Sequence, residues 1–457
     1  MLILNGLNRI LTKTNKFVTS NIKIVNEMCQ VTDEQIIEIL RQEAVPALGC
    51  TEPVACALAC ARCREELGGI PEELEVWVSG NIYKNGMGVG IPGTGMTGLP
   101  IAAALGAVCG RCEYGLEVLK DVSEGNNLEE ARRLVEAQKI SVKMKPDAPD
   151  KLYAEAIARR GKEQVRTVII HAHTNIVWVE KNGEILFQKE YSVLSQDKKD
   201  RPELSIARIW KFVHEVGLEK IEFVLQGAEM NKAISAEGLK TAYGLQIGRT
   251  LKESIEKGLL EDDLLNNALI WATAASDARM DGCEKPVMTN SGSGNQGITV
   301  ILPVVVAAER FGSTREQLAR ALALSNLIAA HIHYYLGHLS ALCGILIAGT
   351  GSASAITYLM GGNYGQVVNT IKTMCSNLTG MMCDGAKQGC ALKVYSGVSA
   401  AVQAALLSMR GIKTNNDGIV EDDIEKTIRN VGLIGTAGME QTDRTILEIM
   451  TQKEGKN

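Results

Sequence analysis

The chain has 457 residues, 46% hydrophobic and 22% charged, so it can bury a large core of ordinary globular composition. A net charge of −5, an isoelectric point near 5.9 and the lack of a basic stripe interleaved with aromatic residues argue against a nucleic-acid partner. Because only five Phe and four Trp stand against 45 Gly, we expect an aliphatic core with closely packed helices.

The cysteines and the N-terminal region bear on the compartment. Twelve cysteines are too sparse for a small disulfide scaffold, and no signal peptide is recognisable, so we expect reduced thiols and a cytoplasmic location. Residues 1–27 are interpreted as an extension outside the functional protein, which would begin at Met28. The apolar runs Ile298–Ala308 and Leu342–Met360 are too short or too polar to span a membrane and predict buried helices, so no membrane partner is expected.

The first chemically informative stretch is Gly49-Cys50-Thr51-Glu52-Pro53, which follows the capping box Thr32-Asp-Glu-Gln35 and a short helix. It is typical of a loop that enters a helix, where the helix dipole should lower the pKa of the Cys50 thiol. A thiolate at this point can remove a proton from a substrate carbon. A structural cysteine at a helix entry is the alternative, and the residues alone leave both open.

Cys56, Cys60 and Cys63 spell C-x3-C-x2-C, the cluster-binding pattern of radical SAM enzymes. They lie within an Ala-rich stretch of helical character with no preceding strand, and the chain lacks the strand–helix alternation of a barrel. We therefore interpret them as small buried thiols on one helix face.

A strand over Leu74–Ser79 leads into the glycine-rich stretch Gly80–Gly98. Bare backbone N–H groups in such a stretch can approach an anion. No complete phosphate-binding motif is present, so a substrate carboxylate fits better, aided by the side chains of Asn81, Lys84 and Asn85. A tight connection between packed elements is the alternative.

Residues 118–202 are predicted to form an α/β lobe inserted into a helical catalytic body that comprises residues 28–117 and 203–457. The fold class is therefore α+β, with a predominantly helical body. Within the lobe we predict a helix over Leu128–Ala137.

The lobe also contains β-rich segments at 165–173, 175–179 and 184–189, with Lys181-Asn-Gly183 as a hairpin turn. His171 and His173 alternate in the first segment and should share one face. The two histidines could bind a metal ion together, although the pattern is more typical of surface histidines.

After Glu203 the sequence is helical nearly to its end, with predicted helices at 203–216, 229–258, 262–280, 313–330, 334–348, 395–408 and 421–432. The loop Thr289–Gly297 between them is too polar and glycine-rich for a core. Its side chains Ser291, Ser293 and Asn295 suit the carboxylate or ammonium of an amino acid, whereas an ordinary interhelical loop is the alternative.

Three further cysteines stand out in this half. Cys383 and Cys390 lie in a polar turn that contains glycine, and Cys343 lies forty residues upstream. A loop pair with one distant thiolate is a three-point anchor for an iron–sulfur cluster, and it would leave one iron of a four-iron cluster open for a ligand. Cys375 is a competing ligand.

A zinc site is another reading of this half. Its candidate ligands are His331, His333 and His338 together with Cys343. Their spacing does not place all four on one helix face, so we expect these residues to have core or supporting roles.

These motifs together carry a resemblance. The chain resembles the L-cysteine desulfidase family, which is related to the α-chain of bacterial iron–sulfur L-serine dehydratases. The resemblance rests on Ala47–Pro53, Gly80–Asn85, Ile91–Thr94, Ser291–Gly297 and the three cysteines. The resemblance runs from about Met28 to the C-terminus. It implies an oxygen-sensitive [4Fe-4S] cluster on Cys343, Cys383 and Cys390, and Cys50 as the catalytic proton acceptor. It also implies conversion of L-cysteine and water to sulfide, ammonia and pyruvate.

Two other functions remain open at this stage. The same scaffold can act as an L-serine dehydratase, with hydroxide as the leaving group, or as a non-catalytic iron–sulfur redox sensor. The expected partner is a small amino-acid substrate, and the sequence is compatible with a homo-oligomer.

Overall fold

The structure is a computed structural model, and it describes residues 31–190, 202–337 and 340–454. The predicted extension 1–27 and His338 lie outside the described residues. The strands are β1 (Pro46–Ala47), β2 (Glu73–Val78), β3 (Ile140–Met144), β4 (Tyr153–Arg160), β5 (Glu163–Ile170), β6 (Ile176–Lys181), β7 (Glu184–Gln188) and β8 (Val287–Met288).

Helices make up most of the described chain. They are α1 (Asp33–Glu43), α2 (Thr51–Leu67), α3 (Gly80–Gly86), α4 (Leu99–Val108), α5 (Asn127–Glu136), α6 (Ile206–Glu215), α7 (Leu218–Ile221), α8 (Leu225–Lys240), α9 (Ile247–Glu256), α10 (Leu264–Met280), α11 (Gly294–Arg310), α12 (Arg315–Leu336), α13 (Ile345–Leu359), α14 (Tyr364–Leu378), α15 (Cys390–Met409), α16 (Ile424–Leu433) and α17 (Glu440–Glu454). The α+β class with a helical body is confirmed.

The smaller part of the molecule is a six-stranded sheet of order β3-β2-β4-β5-β6-β7, in which only the β2–β3 pair is parallel. Alternate residues of its strands face α2 and α4, and these helices and the sheet share one apolar core. Strand β2 precedes residue 118, whereas the other five strands of this sheet follow that residue, so the sheet includes a strand from outside the predicted lobe. The division of the chain at residues 118 and 202 stays a prediction.

The end of β5 differs from the sequence-based expectation. The strand stops at Ile170, and His171 has a left-handed backbone with φ of 70°. His171 and His173 therefore do not share a strand face, and that prediction was wrong. The hairpin at Lys181-Asn-Gly183 is confirmed: Asn182 and Gly183 have φ of 53° and 87°, as a tight turn between antiparallel strands requires.

The helical body is built around α13, which packs against α11, α12, α14 and α15. Small residues make this possible: a Cβ on Gly351 would lie 2.4 Å from the Ser325 carbonyl oxygen on α12, so the two helices touch through backbone. The hydroxyls of Thr350 and Ser354 donate back to helix carbonyls, so these buried polar groups cost little. The helix is thus held rigidly at the centre of the body.

Some helix limits were predicted wrongly. Residues 229–258 form parts of two helices, α8 and α9, and the predicted helix 334–348 falls on the break between α12 and α13. The start of the glycine-rich stretch is not a loop but the short helix α3. The capping box at Thr32 and the helix over 128–137 are confirmed within a residue or two.

A two-residue antiparallel pair connects distant parts of the chain. Pro46 and Ala47 of β1 pair with Met288 and Val287 of β8. This pairing brings the end of α1 and the start of α2 beside the loop that precedes α11. It therefore positions Cys50 next to the polar loop of residues 289–297.

The apolar runs Ile298–Ala308 and Leu342–Met360 are largely buried in helices of the body. Among the described residues, one helix, Cys390–Met409, is long and apolar enough to cross a membrane by length and composition. Half of it is buried against neighbouring elements, as for a core helix.

Candidate functional site

A cavity of about 140 Å³ lies between the first part of the chain and the helical body. Its walls include four of the cysteines singled out in the sequence, Cys50, Cys343, Cys383 and Cys390. Residues separated by more than 300 positions along the chain therefore meet in one place.

Four helices begin at this cavity. They are α2 at Thr51, α11 at Gly294, α13 at Ile345 and α15 at Cys390, and each has residues of its first turn or its cap in the cavity wall. The free N–H groups and the dipole at a helix start carry partial positive charge. The cavity is thereby suited to hold anionic groups, including thiolates.

Cys50 caps α2 and forms a pair with Glu52. The Cys50 Sγ donates to Glu52 Oε2 over 3.1 Å, and the Thr51 hydroxyl donates to the same oxygen at 3.2 Å. Asn85 Nδ2 donates to the other carboxylate oxygen at 3.0 Å. The carboxylate is thus fixed beside the thiol by three donors.

The pKa of Cys50 is raised, not lowered. Burial raises it most, and the Glu52 carboxylate adds to the effect, whereas the charge of Arg279 opposes it. The prediction of a lowered pKa at this helix start was wrong, because burial of the thiol outweighs the helix dipole and the neighbouring carboxylate adds to the effect of burial. Burial also acts to raise the pKa of Glu52, but the charge of His173 and the bonds from Cys50 and Asn85 outweigh it and lower that pKa.

Cys343 and Cys383 lie on two chain segments that pair with each other. The Cys343 N–H donates to the Met381 carbonyl at 2.8 Å, and the Cys383 N–H donates to the Ala341 carbonyl at 2.6 Å. Cys390 follows as the first residue of α15. The segment that carries Cys383 is also held by Lys393, whose Nζ donates to Asp384 Oδ1 at 2.6 Å and to the Met382 carbonyl at 2.8 Å.

The charges around these thiols follow from burial. Burial, with the neighbouring Cys383 thiol, raises the pKa of Cys343 to about 12, and burial likewise raises the pKa of Cys390. Burial acts to raise the pKa of Asp384 as well, but hydrogen bonds from Lys387 and Lys393 lower it to about 2. Without a metal the thiols of Cys343 and Cys390 are therefore protonated, and metal binding would release their protons.

The three cysteines suit a cluster better than a single ion. Among the residues that the structure describes, no three His, Cys, Asp or Glu side chains converge closely enough to bind one metal ion. In an iron–sulfur cluster each thiolate binds a different iron, so its ligands line a cavity without meeting at a point. Cys343, Cys383 and Cys390 all line the cavity, as such a set of ligands would.

Three buried polar atoms in the cavity wall have no hydrogen-bond partner among residues 31–190, 202–337 and 340–454. They are Asn85 Oδ1, Arg279 Nε and Gln296 Oε1. Leaving such atoms unpaired is costly, so native structures satisfy nearly all of them. A polar group bound in the cavity would satisfy these atoms.

The residues predicted to bind substrate separate into two sets. Asn85, Ser291, Ser293 and Asn295 line the cavity. Asn81 and Lys84 are not among its lining residues: Lys84 is 1% exposed and its Nζ pairs with Asp443 of α17 at 2.6 Å. Asn81 Nδ2 also donates to Asp443, so both side chains contact α17, and their part in binding substrate stays a prediction.

The polar loop before α11 is pinned at the cavity. Ser291 and Gly292 both have left-handed backbone, with φ of 51° and 74°, and the Thr51 hydroxyl donates to the Gly292 carbonyl at 2.9 Å. Ser293 caps α11. A non-glycine residue in this conformation is held by its surroundings and recurs at functional sites.

Several residues of the cavity wall were not identified in the sequence. They are Glu52, His173, Arg279 and Gln296. His173 comes from the loop after β5, and an added Cβ on Gly292 would lie 3.6 Å from its ring. It lines the site and is not simply a surface histidine.

Other candidates lie elsewhere. The glycine-rich stretch 86–98 is not among the residues that line the cavity, and a Cβ on Gly90 would lie 2.5 Å from the Asp281 backbone, so it is a tight connection between packed elements. Cys375 is buried inside α14, away from the cavity wall. His331 bonds to Glu425 at 2.7 Å, whereas His333 lines the cavity.

Comparison with known proteins gives one family match. A family model described as the serine dehydratase alpha chain matches residues 113–448, about three quarters of the chain. This span contains Cys343, Cys383 and Cys390.

Similar whole proteins occur in several bacteria. A UPF0597 protein of Bacteroides fragilis is 45% identical over 427 residues, which cover 93% of this chain and 100% of that protein. A UPF0597 protein of Parabacteroides distasonis is 48% identical over 432 residues, with 93% and 100% covered. One from Oleidesulfovibrio alaskensis is 48% identical over 420 residues, with 92% and 98% covered.

Proposed function

The chain belongs to the serine dehydratase alpha-chain family, and on this basis we propose that it is an iron–sulfur-dependent lyase, independent of pyridoxal phosphate, that converts L-cysteine to sulfide, ammonia and pyruvate. One observation carries the proposal: the Cys50–Glu52 pair and three further thiols line one cavity that also contains unpaired polar atoms.

Cys343, Cys383 and Cys390 would hold a [4Fe-4S] cluster. When bound, the cluster supplies a Lewis acid that stabilises the departing sulfur. The surrounding helix starts and the Lys393 side chain offset the negative charge of the thiolates.

The proposed role of Cys50 is to take the α-proton of the substrate. Because the thiol is protonated at rest, it must first give its proton to Glu52, whose Oε2 lies 3.1 Å away. The raised pKa of Cys50 and the lowered pKa of Glu52 make this transfer uphill, so the thiolate forms only transiently, while the substrate is bound. The charge of Arg279 favours the thiolate that results. Glu52 is therefore part of the proton-transfer pair, and Asn85 orients it.

The reaction balances as a β-elimination followed by hydrolysis. Loss of the α-proton provides the electron pair that forms the Cα–Cβ double bond, and the Cβ–S bond breaks to release sulfide. The aminoacrylate product tautomerises to an imine, which water hydrolyses to pyruvate and ammonia. Ser291, Ser293 and Asn295 are proposed to orient the substrate in the cavity.

The description of the matched family favours a second candidate, an L-serine dehydratase on the same scaffold. The chemistry would be the same except that hydroxide leaves. The cavity residues alone do not separate the two leaving groups. A cytoplasmic location is part of the proposal, supported by the eleven free thiols among the described residues, which need a reducing compartment.

The test is release of sulfide and pyruvate from L-cysteine by anaerobically purified protein, with L-serine in parallel and both repeated after exposure to air. We expect sulfide release that air abolishes. Pyruvate from L-serine alone would establish the second candidate instead. Iron and sulfide in the protein without turnover of either substrate would overturn both and favour a redox sensor.

A further inference from the structure

Arg279, the penultimate residue of α10, is a buried cation without a counter-ion. It is 4% exposed and forms no ion pair with any described residue. Its Nη2 donates to the Gly49 carbonyl at 3.1 Å and its Nη1 contacts the Met280 sulfur at 3.3 Å. The Nε has no partner, and the side chain lines the cavity.

A guanidinium keeps its charge under all physiological conditions, so it cannot escape burial by losing a proton. Burying a charge is costly unless an opposite charge compensates it. Neutral acceptors satisfy two of the Arg279 nitrogens but do not neutralise the ion. The missing negative charge must therefore come from a group that binds in the cavity.

The position of the guanidinium is set by Gly294, the first residue of α11. A Cβ at this position would lie 2.1 Å from Arg279 Nε, so only glycine leaves the side chain its present place. An anion bound there would face both the guanidinium and the start of α11. The charge of the guanidinium and the dipole at the start of α11 both favour binding of an anion.

Two unpaired acceptors complete the pattern. Glu52 is ionised and can only accept, so the Asn85 amide nitrogen faces it and the amide oxygen points away without a partner. The Gln296 Oε1 is also unpaired, and a Cβ on Gly344 would lie 2.5 Å from the other atom of that amide. The cavity thus contains one unpaired cationic donor and two unpaired acceptors.

We propose that Arg279 is the carboxylate-binding residue of this cavity, and that Asn85 Oδ1 and Gln296 Oε1 accept from the ammonium of the same ligand. The ligand class is a free α-amino acid with both groups ionised. The inference rests on the proposed function in placing an amino-acid substrate here. It does not depend on which group leaves Cβ.

The probe is L-alanine, which has both charged groups but nothing on Cβ that can leave. Its binding to iron-loaded protein is measured anaerobically by titration calorimetry, beside ethylamine, which lacks the carboxylate. We expect L-alanine to bind and ethylamine to bind at least tenfold more weakly. Equal binding of the two, or no binding of L-alanine, would overturn the proposal.

Variants assign the effect to the residue. Arg279→Met should weaken L-alanine binding about 10- to 100-fold, as expected for the loss of a buried charge-assisted hydrogen bond. Arg279→Lys should lose less, because it keeps the charge without the planar fork. The matched control is Arg310→Met at the exposed far end of α11, which should bind L-alanine as the unmodified protein does.

A second variant tests the same site without touching the arginine. Gly294→Ala should displace the guanidinium and weaken L-alanine binding in the same direction as Arg279→Met. The exposed helical Gly365, with only one neighbouring atom 3.4 Å away, provides the control Gly365→Ala, which should have no effect.

One outcome would assign Arg279 a different role. The counter-ion could be the negative charge of the cluster itself. In that case Arg279→Met would alter iron content or the visible absorption spectrum and leave L-alanine binding unchanged, which would overturn the proposal. Arginine-dependent L-alanine binding without sulfide or pyruvate release would instead preserve this inference and overturn the proposed function.

Discussion

Helix α2 carries cysteines in two settings that share burial and differ in their neighbours. Cys50 at its start and Cys56, Cys60 and Cys63 along its length are all buried, and burial raises the pKa of each. Neither property therefore identifies a functional thiol. The difference is that Cys50 faces a carboxylate and a cavity with unpaired polar atoms, whereas the others face alanines and strands.

The three cysteines within α2 lie in the core and not in the wall of the cavity. The pKa of Cys63 rises to about 12 by burial, and its sulfur lies 3.4 Å from Thr167 Oγ1 and 3.5 Å from the Ala156 carbonyl oxygen. Cys56 and Cys60 belong to the apolar core between α2, α4 and the sheet. The helical arrangement predicted for this triplet is confirmed. The lesson is that unpaired polar atoms in the wall of a cavity, rather than the spacing of cysteines, distinguish this site from the core.

The largest expected effect tests this distinction directly. Cys383→Ala should lose nearly all cluster iron and all turnover, because it removes one of three proposed ligands. Cys60→Ala should keep both. Iron and acid-labile sulfide are assayed after anaerobic purification of each variant. Loss of iron from Cys60→Ala with retention by Cys383→Ala would reverse the comparison.

A smaller effect is expected at the start of α2. Glu52→Gln should keep its iron but lower kcat by about 10²- to 10⁴-fold, the usual contribution of a positioned acid–base group. Because the pKa of Glu52 lies below its ordinary value of 4.5, its protonation should not limit unmodified activity above that pH. The pH profile of kcat, measured anaerobically, checks both statements.

The matched control for that variant lies at the other end of the same helix. Glu66 pairs with Arg62 at 2.5 Å near the surface, so Glu66→Gln should leave kcat unchanged. An equal loss of activity in both variants would show that the effect comes from α2 as a whole rather than from the Cys50–Glu52 pair.

The sequence was sufficient for features that depend on nearby residues. Turn chemistry and helical periodicity are local, so they predicted three features correctly. These are the hairpin at Asn182 and Gly183, the capping box at Thr32 and the helix containing Cys56. The predicted cluster ligands line one cavity, but their role stays a prediction.

What was missed depends on the meeting of distant segments. Arg279 lies near the C-terminal end of a helix, where a basic residue is unremarkable because it complements the dipole. Its neighbours Asp277 and Asp281 make that helix end unusually polar beside an apolar run, and this was the available signal. The pKa of Cys50 was mispredicted for the same reason, since it depends on the fold around Glu52 and on the burial of both groups.

Asp277 shows that an unpaired buried atom alone does not make a site. It lies on α10 outside the cavity wall, where one oxygen accepts from the Ile247 N–H at 2.6 Å and the other has no partner. Burial raises its pKa from 3.8 to about 6. Its stabilising contribution is therefore present below pH 3.8 and is lost as pH rises through about 6, an effect of about 3 kcal/mol at most.

Asp277→Asn should remove this pH dependence. Between pH 4 and pH 7 the free energy of unfolding of the variant should rise relative to that of the unmodified protein by up to about 3 kcal/mol. Melting temperatures of both proteins across this pH range provide the measurement. Parallel curves would show that Asp277 carries no such penalty, and that its second oxygen has a partner in solution.

The smallest expected effect returns to α2. Cys63→Ala removes one buried sulfur from a packed core, so it should lower the free energy of unfolding by about 1 kcal/mol and leave iron and activity intact. Cys63→Ser should cost more, because it places a polar hydroxyl in an apolar core and its shorter C–O bond leaves the oxygen farther than the sulfur from Thr167 Oγ1 and the Ala156 carbonyl. Denaturant unfolding of the two variants measures the order. If serine is tolerated better than alanine, the pocket around Cys63 is polar enough to resemble the cavity, and the contrast between the two settings of α2 fails.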